Sequence, residues 1–144
     1  MTTIALAVLF VAATIFIHYE TLRLTTLGAT DLNVRPRMRL WMMLSAALFS
    51  HLIHIALYAM GFILLEYEFG LGEIAGPDSG KFNDAFYFSI TSYTTLGIGD
   101  IYPTGQIRLL SGIEVLNGLV MVTWTASMTY LHMERYWRNG PPIK

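Results

Sequence analysis

Three apolar runs, Thr2 to Tyr19, Leu40 to Leu65 and Ile107 to Met133, constrain this chain more than any other feature. Each approaches or exceeds the roughly 18 to 20 residues that cross bilayer hydrocarbon as a helix. With 144 residues, 54% of them hydrophobic and 13% charged, and a mean hydropathy of +0.51, the chain carries more apolar surface than a soluble core of its size needs. No positive residue precedes the first run and no small-x-small cleavage site follows it, so it reads as a mature helix rather than a secretory leader. There is no cysteine, which excludes disulfides and thiolate metal sites.

The charges orient the runs. Arg23, Arg35, Arg37 and Arg39 lie between the first and second, and Arg135, Arg138 and Lys144 follow the third. Both stretches are expected in the cytoplasm. The connection between the second and third runs carries Glu66, Glu68, Glu73, Asp78, Asp84 and Asp100 against Lys81 and Arg108, so it is expected outside, with the N-terminus also outside. The arginines at 35, 37 and 39 are spaced by two across Pro36 and lie outside an apolar run, which is not the one-face pattern of a voltage sensor. Residues 28–39, with Thr30/Asp31 as a cap signal, predict a short interfacial helix on the inner leaflet, with Trp41 and Trp137 as aromatic anchors.

The outer connection holds the unusual segment. EYEFGLGEIAGPDSG is a glycine-rich acidic loop, whose carboxylates either steer cations or only solubilise. KFNDAFYFSITSYTT then turns apolar and aromatic again, too briefly to span. A half-helix dipping into the membrane fits that length, and the TTLGIGD that follows, residues 94–100, would lie at depth, where non-helical backbone must be buried or line water.

DAFYFSITSYTTLGIGDIYP resembles the pore helix and selectivity filter of potassium channels, whose signature is TVGYGD. That family is a standard example of ion selection by backbone carbonyls. The resemblance covers about Leu40 to Leu131 and implies an all-α membrane protein with three transmembrane helices, a re-entrant pore helix and a filter, assembled as a homotetrameric channel. The expected organisation is an additional helix at 1–27, a cytoplasmic connector at 28–39, a pore domain at 40–134 and a short tail at 135–144. Within the pore domain the outer helix takes 40–66, the outer loop 67–80, the pore helix 81–94, the filter 95–100 and the inner helix 106–134.

By this resemblance the carbonyls of Thr95, Leu96, Gly97 and Ile98, with the Thr95 hydroxyl, would bind dehydrated K+, the permeant ion, while Leu96 and Ile98 side chains face back into the pore helix. Asp100 would stand at the outer mouth, and Tyr87, Thr91 and Thr94 would support the filter. Pointing successive carbonyls at one axis needs backbone of alternating hand, and Gly97 and Gly99 reach the left-handed region without steric cost. Ile98 replaces the usual tyrosine, so it brings no hydroxyl behind the filter, and a weakly selective monovalent cation channel is the alternative.

On the last run Val120, Thr123, Ser127 and Leu131 share one face, which the resemblance makes the lining of the cavity and inner constriction; Gly118 is either a gating hinge or a close-packing site. His51 and His54 lie at i and i+3 in the second run, level with Glu114 of the third. They form either a proton-sensing bridge or a neutral packing contact. A membrane-embedded metal-dependent enzyme on those three residues is a second alternative, although they lack the HExxH arrangement. The leading expectation is no enzyme, no nucleic acid and no soluble substrate: a multi-pass protein of the cell membrane whose partners are lipids and its own copies.

Overall fold

The computed structural model describes residues 1–31, 35–76 and 81–139, with the side chain of Trp137 outside the described set. Four helices carry the architecture: α1 (Thr2–Asp31), α2 (Pro36–Ile63), α3 (Lys81–Tyr93) and α4 (Ile107–Asn139). Spans Thr2–Ala29, Arg37–Glu68 and Ile107–Arg135 are long and apolar enough to cross a membrane. At about 1.5 Å per residue each exceeds the roughly 30 Å of hydrocarbon, so each tilts or projects beyond it.

The first two helices are longer than their apolar cores. α1 continues through Asp31, and α2 begins at Pro36, whose fixed φ and missing N–H suit the first helical turn. Arg35, at φ −56° and ψ 142°, is the extended residue ahead of it. The separate interfacial helix expected over 28–39 is therefore replaced by the ends of two long helices, and residues 32–34 lie outside the described set. Trp41 is exposed on the first turns of α2.

α2 ends in a π-helical turn, Leu64–Glu68, closed by Phe69 N donating to Leu64 O at 3.3 Å. The acidic loop then folds back. Ile74–Ala75 (β1) pairs antiparallel with Tyr102–Pro103 (β2), Ala75 opposite Tyr102, and Gln106 N donates to Leu71 O at 2.7 Å. Those few strand residues clamp the loop to the segment leaving TTLGIGD.

α3 sits between α2 and α4, while α1 lies against both of them. The largest part of the core joins Ala7, Tyr58, Phe62, Leu65, Ala85, Phe88, Ile107 and Leu110, with the Phe62 and Phe88 rings edge-on at 5.1 Å. Lipid offers no hydrophobic drive between helices, so close packing and interhelical hydrogen bonds must hold α1 in place. Its buried stripe supplies them: Thr3 donates to Gln106 Oε1 at 3.0 Å, and Asn117 Nδ2 donates to Thr14 Oγ1 at 2.8 Å.

Candidate pore-lining site

The last turn of α3 delivers the chain to residues 94–100, every one of which is exposed on the single chain. Thr94 N donates to Ile90 O, Thr95 N to Ser92 O and Gly97 N to Thr91 O, at 3.0, 2.9 and 3.0 Å. The ribbon thus hangs from the helix C-terminus by carbonyls a helix end would otherwise leave unpaired. Beyond them φ changes sign residue by residue: Thr95 (61°), Gly97 (53°) and Gly99 (86°) are positive, whereas Leu96 and Ile98 are not. Thr95 is the only described non-glycine residue with positive φ, an uncommon state for a β-branched side chain. No expectation placed strain there, since a threonine gives no sign of a left-handed backbone.

Around the ribbon, Thr91 and Thr94 turn their hydroxyls to Phe88 O and Ile90 O, at 3.0 and 2.7 Å. Thr91 therefore meets the ribbon through its backbone carbonyl. Leu96 and Ile98 are 65% and 58% exposed, so the backward packing expected of them is not made within one chain. At the end of the ribbon the Tyr87 hydroxyl donates to Asp100 Oδ2 at 2.9 Å, and Asp100 Oδ1 accepts from Ile101 N at 3.0 Å. That hydrogen bond, then lost hydration and the carboxylate charge, raises the Tyr87 phenol above its ordinary value near 10. A group with a raised folded-state pKa stabilises in full below its unfolded value and loses the contribution as pH rises through the folded one. Tyr87→Phe is therefore expected to loosen the hold on Asp100 at neutral pH, read as a lower unfolding midpoint in detergent, with the two proteins converging at pH well above 10.

On α4, Val120, Thr123, Ser127 and Leu131 are all exposed along one face, with the Thr123 and Ser127 hydroxyls donating to Leu119 O and Thr123 O at 2.7 and 2.9 Å. Gly118 is not on that face. It is buried against α3, and a Cβ built there would lie 2.1 Å from Tyr93 O. The geometry is that of close backbone packing, and the hinge reading has no support from it.

His54 and Glu114 do not meet. At their height the side chains of α3 take both sets of bonds: Ser89 Oγ lies 2.8 Å from Ile55 O and 2.5 Å from Glu114 Oε1. A serine hydroxyl has one hydrogen; with Ile55 O taking it, the Glu114 contact needs its hydrogen from the carboxyl group. Glu114 Oε2 has no partner among the described residues. Glu114→Ala is expected to cost about 2–4 kcal/mol, through a cavity and a lost hydrogen bond, and Glu114→Gln much less, read as thermal unfolding midpoints in detergent.

The histidines meet a third one that sequence reasoning missed. His18 of α1 has its ring centroid 5.0 Å from that of His51 and 5.6 Å from that of His54. Ser50 Oγ bridges His18 Nδ1 and His54 Nε2 at 3.2 and 3.3 Å. Tyr93 Oη bridges His51 Nδ1 and His54 Nδ1, both at 2.9 Å. Thr125 Oγ1 bridges His51 Nε2 and His18 Nε2 at 3.0 and 3.1 Å. Three O–H and three N–H groups fill these six contacts if every imidazole is neutral, each hydroxyl donating to one ring and accepting from the next. The ring of contacts touches all four helices. An ionisable residue inside the first apolar run was the available signal.

A family model described as "Ion channel" matches residues 41–131. Two-pore potassium channel 4 of Arabidopsis thaliana is 30% identical over 94 residues, which is 65% of this chain and 31% of that protein. Inward rectifier potassium channel Kirbac3.1 of Paramagnetospirillum magnetotacticum is 30% identical over 87 residues, 59% of this chain and 28% of that protein. The chain spans less than a third of the length of either relative. No solved structure matches.

Proposed function

Because the chain belongs to the ion channel family, whose members are channels and not enzymes, we propose that it is a passive potassium-selective channel in which four copies line one pore. The observation that carries this reading is the alternation of φ along Thr95, Leu96, Gly97, Ile98 and Gly99. A ribbon whose backbone changes hand at each residue turns successive carbonyls to one side, where they replace the water around a dehydrated cation. Thr95 to Ile98 would supply the K+ ligands, Asp100 the outer mouth, and Tyr87, Thr91 and Thr94 the support. Val120, Thr123, Ser127 and Leu131 would line the cavity and its inner constriction.

Exposure argues for more than one copy. An unpaired ribbon at bilayer depth is tolerated only when protein covers it or water fills the space it lines, and a closed ring of copies does both. In that assembly Leu96 and Ile98 are covered by neighbouring chains. The names of both relatives support potassium as the ion. The arginine distribution supports an outer N-terminus and a cytoplasmic C-terminus in the cell membrane.

Purified protein reconstituted in liposomes is expected to pass K+ down its gradient, to be blocked by Ba2+, and to show a reversal potential that follows potassium when sodium is the counter-ion. A reversal potential that follows sodium equally would replace this reading with a weakly selective cation pore. Absence of flux from correctly inserted protein would remove both.

A further inference from the structure

We propose that His18, His51 and His54 form a binding site for a divalent transition-metal ion of the zinc class, joining α1 to α2 beside the end of α3. Each imidazole offers one ligating nitrogen, and these atoms all lie within 4.8 Å of one another. An ion at the centre of a triangle with that side is about 2.8 Å from each corner, against about 2.0–2.1 Å for a zinc–imidazole bond. A tetrahedral set with bonds of that length holds its nitrogens about 3.3–3.4 Å apart, so each needs to move inward by about 0.8 Å, a shift that ring rotation can supply.

The hydrogen count permits the site once the three hydroxyl hydrogens, released from the ring nitrogens, turn to the helix carbonyls four residues back in Ser50 and Thr125 and to the entering water or anion in Tyr93. An imidazole that gives one nitrogen to a metal keeps one N–H, which must find an acceptor that fixes the ring. Three rings leave three N–H groups, and the three hydroxyls already in contact with them, Ser50, Tyr93 and Thr125, can take one each. Because the rings start neutral in this arrangement, no proton has to leave before the metal enters. Water or a small anion completes a tetrahedral set, and an anion lowers the charge held at depth.

Donor chemistry sets the class of ion. Three nitrogens suit Zn2+, Co2+, Ni2+ and Cu2+, while K+, Na+, Mg2+ and Ca2+ take oxygen ligands. The site is therefore distinct from the pore in what it binds. Glu114 stays with Ser89 and does not contribute a ligand.

Co2+ titrated into the full chain in lipid nanodiscs tests the proposal, since four-coordinate Co2+ absorbs visible light far more strongly than the hydrated ion. One ion per chain is expected, with intense visible bands that Zn2+ displaces. His18→Ala and His54→Ala are each expected to abolish those bands, and His132→Ala, whose imidazole bonds to Met128 O farther along α4, to keep them. Weak bands, no stoichiometric uptake, uptake that survives both substitutions, or loss in His132→Ala would each overturn the site. Should the α1 and α2 variants fold poorly, X-ray absorption of the zinc-loaded wild-type protein decides alone: three imidazole nitrogens support the site, and fewer than three reject it. None of these readings depends on conduction, so the metal site and the channel stand or fall separately.

Discussion

Gly97→Ala is expected to lower potassium flux by about 100-fold or more in liposomes while leaving the amount of inserted protein unchanged. Crowding is not the reason, because nothing lies within 4 Å of a Cβ built at this position. The backbone is. At φ 53° an alanine pays about 1–2 kcal/mol for the left-handed conformation. In the proposed assembly every copy pays it, on the order of 4–8 kcal/mol per pore, all within one short ribbon. The cheaper outcome is a flipped peptide, which points a carbonyl away from the axis and an N–H toward it, and an N–H repels a cation. Gly112→Ala serves as the control: it too has open space, but it lies within α4, where alanine gains about 0.5–1 kcal/mol over glycine. Equal flux from wild type and Gly97→Ala, beside intact Gly112→Ala, would show that the alternating backbone is not what ions pass.

The second large effect belongs to Gly118→Ala, for the opposite reason. Here an added methyl meets backbone: Tyr93 O at 2.1 Å, its carbonyl carbon at 2.9 Å and its Cα at 3.1 Å. Backbone cannot swing aside as a side chain does, so α4 and the end of α3 must separate by more than an ångström. Overpacking of this kind costs about 1–3 kcal/mol, and more where the neighbour is rigid. Tyr93 is also the residue after which the ribbon starts, so the displacement travels directly into Thr94 and Thr95. We expect a lower unfolding midpoint together with a loss of flux of at least about tenfold. Gly61→Ala offers the comparison, because the three atoms nearest its new methyl all belong to the Phe10 ring, the first at 2.2 Å, and a ring can rotate away. If Gly118→Ala were as mild as Gly61→Ala, the close approach of α4 to α3 would be disproved.

Length and sustained apolar character made the three long helices legible, since hydrocarbon imposes both on any spanning segment. The half-helix over KFNDAFYFSITSY was legible too, as an apolar stretch too short to span beside glycines with no other use. What the sequence hid was lateral. Helical rise places Glu114 level with His54 but says nothing of which helix stands between them, and Ser89 and Tyr93 of α3 take both sets of hydrogen bonds. His18 was visible as an ionisable residue in an apolar run, but a lone histidine carries no mark of the partners that another helix will bring. The ends of α1 and α2 also escaped, because Thr30 and Asp31 read as the cap of a new helix while the first one runs on to Asp31.

The pore module recognised by the family match starts at residue 41, yet Gln106, Asn117 and Thr125 of that module, and Ser50 beside them, reach across to Thr3, Thr14 and His18. Strip α1 away and the Asn117 amide loses Thr14, while Ser50 and Thr125 keep only their bonds to His54 and His51; an amide left unsatisfied at that depth costs kilocalories. What is shared with relatives is therefore smaller than what must fold together. A minimal version of this protein that keeps only the shared part should fail to assemble, however intact its ribbon.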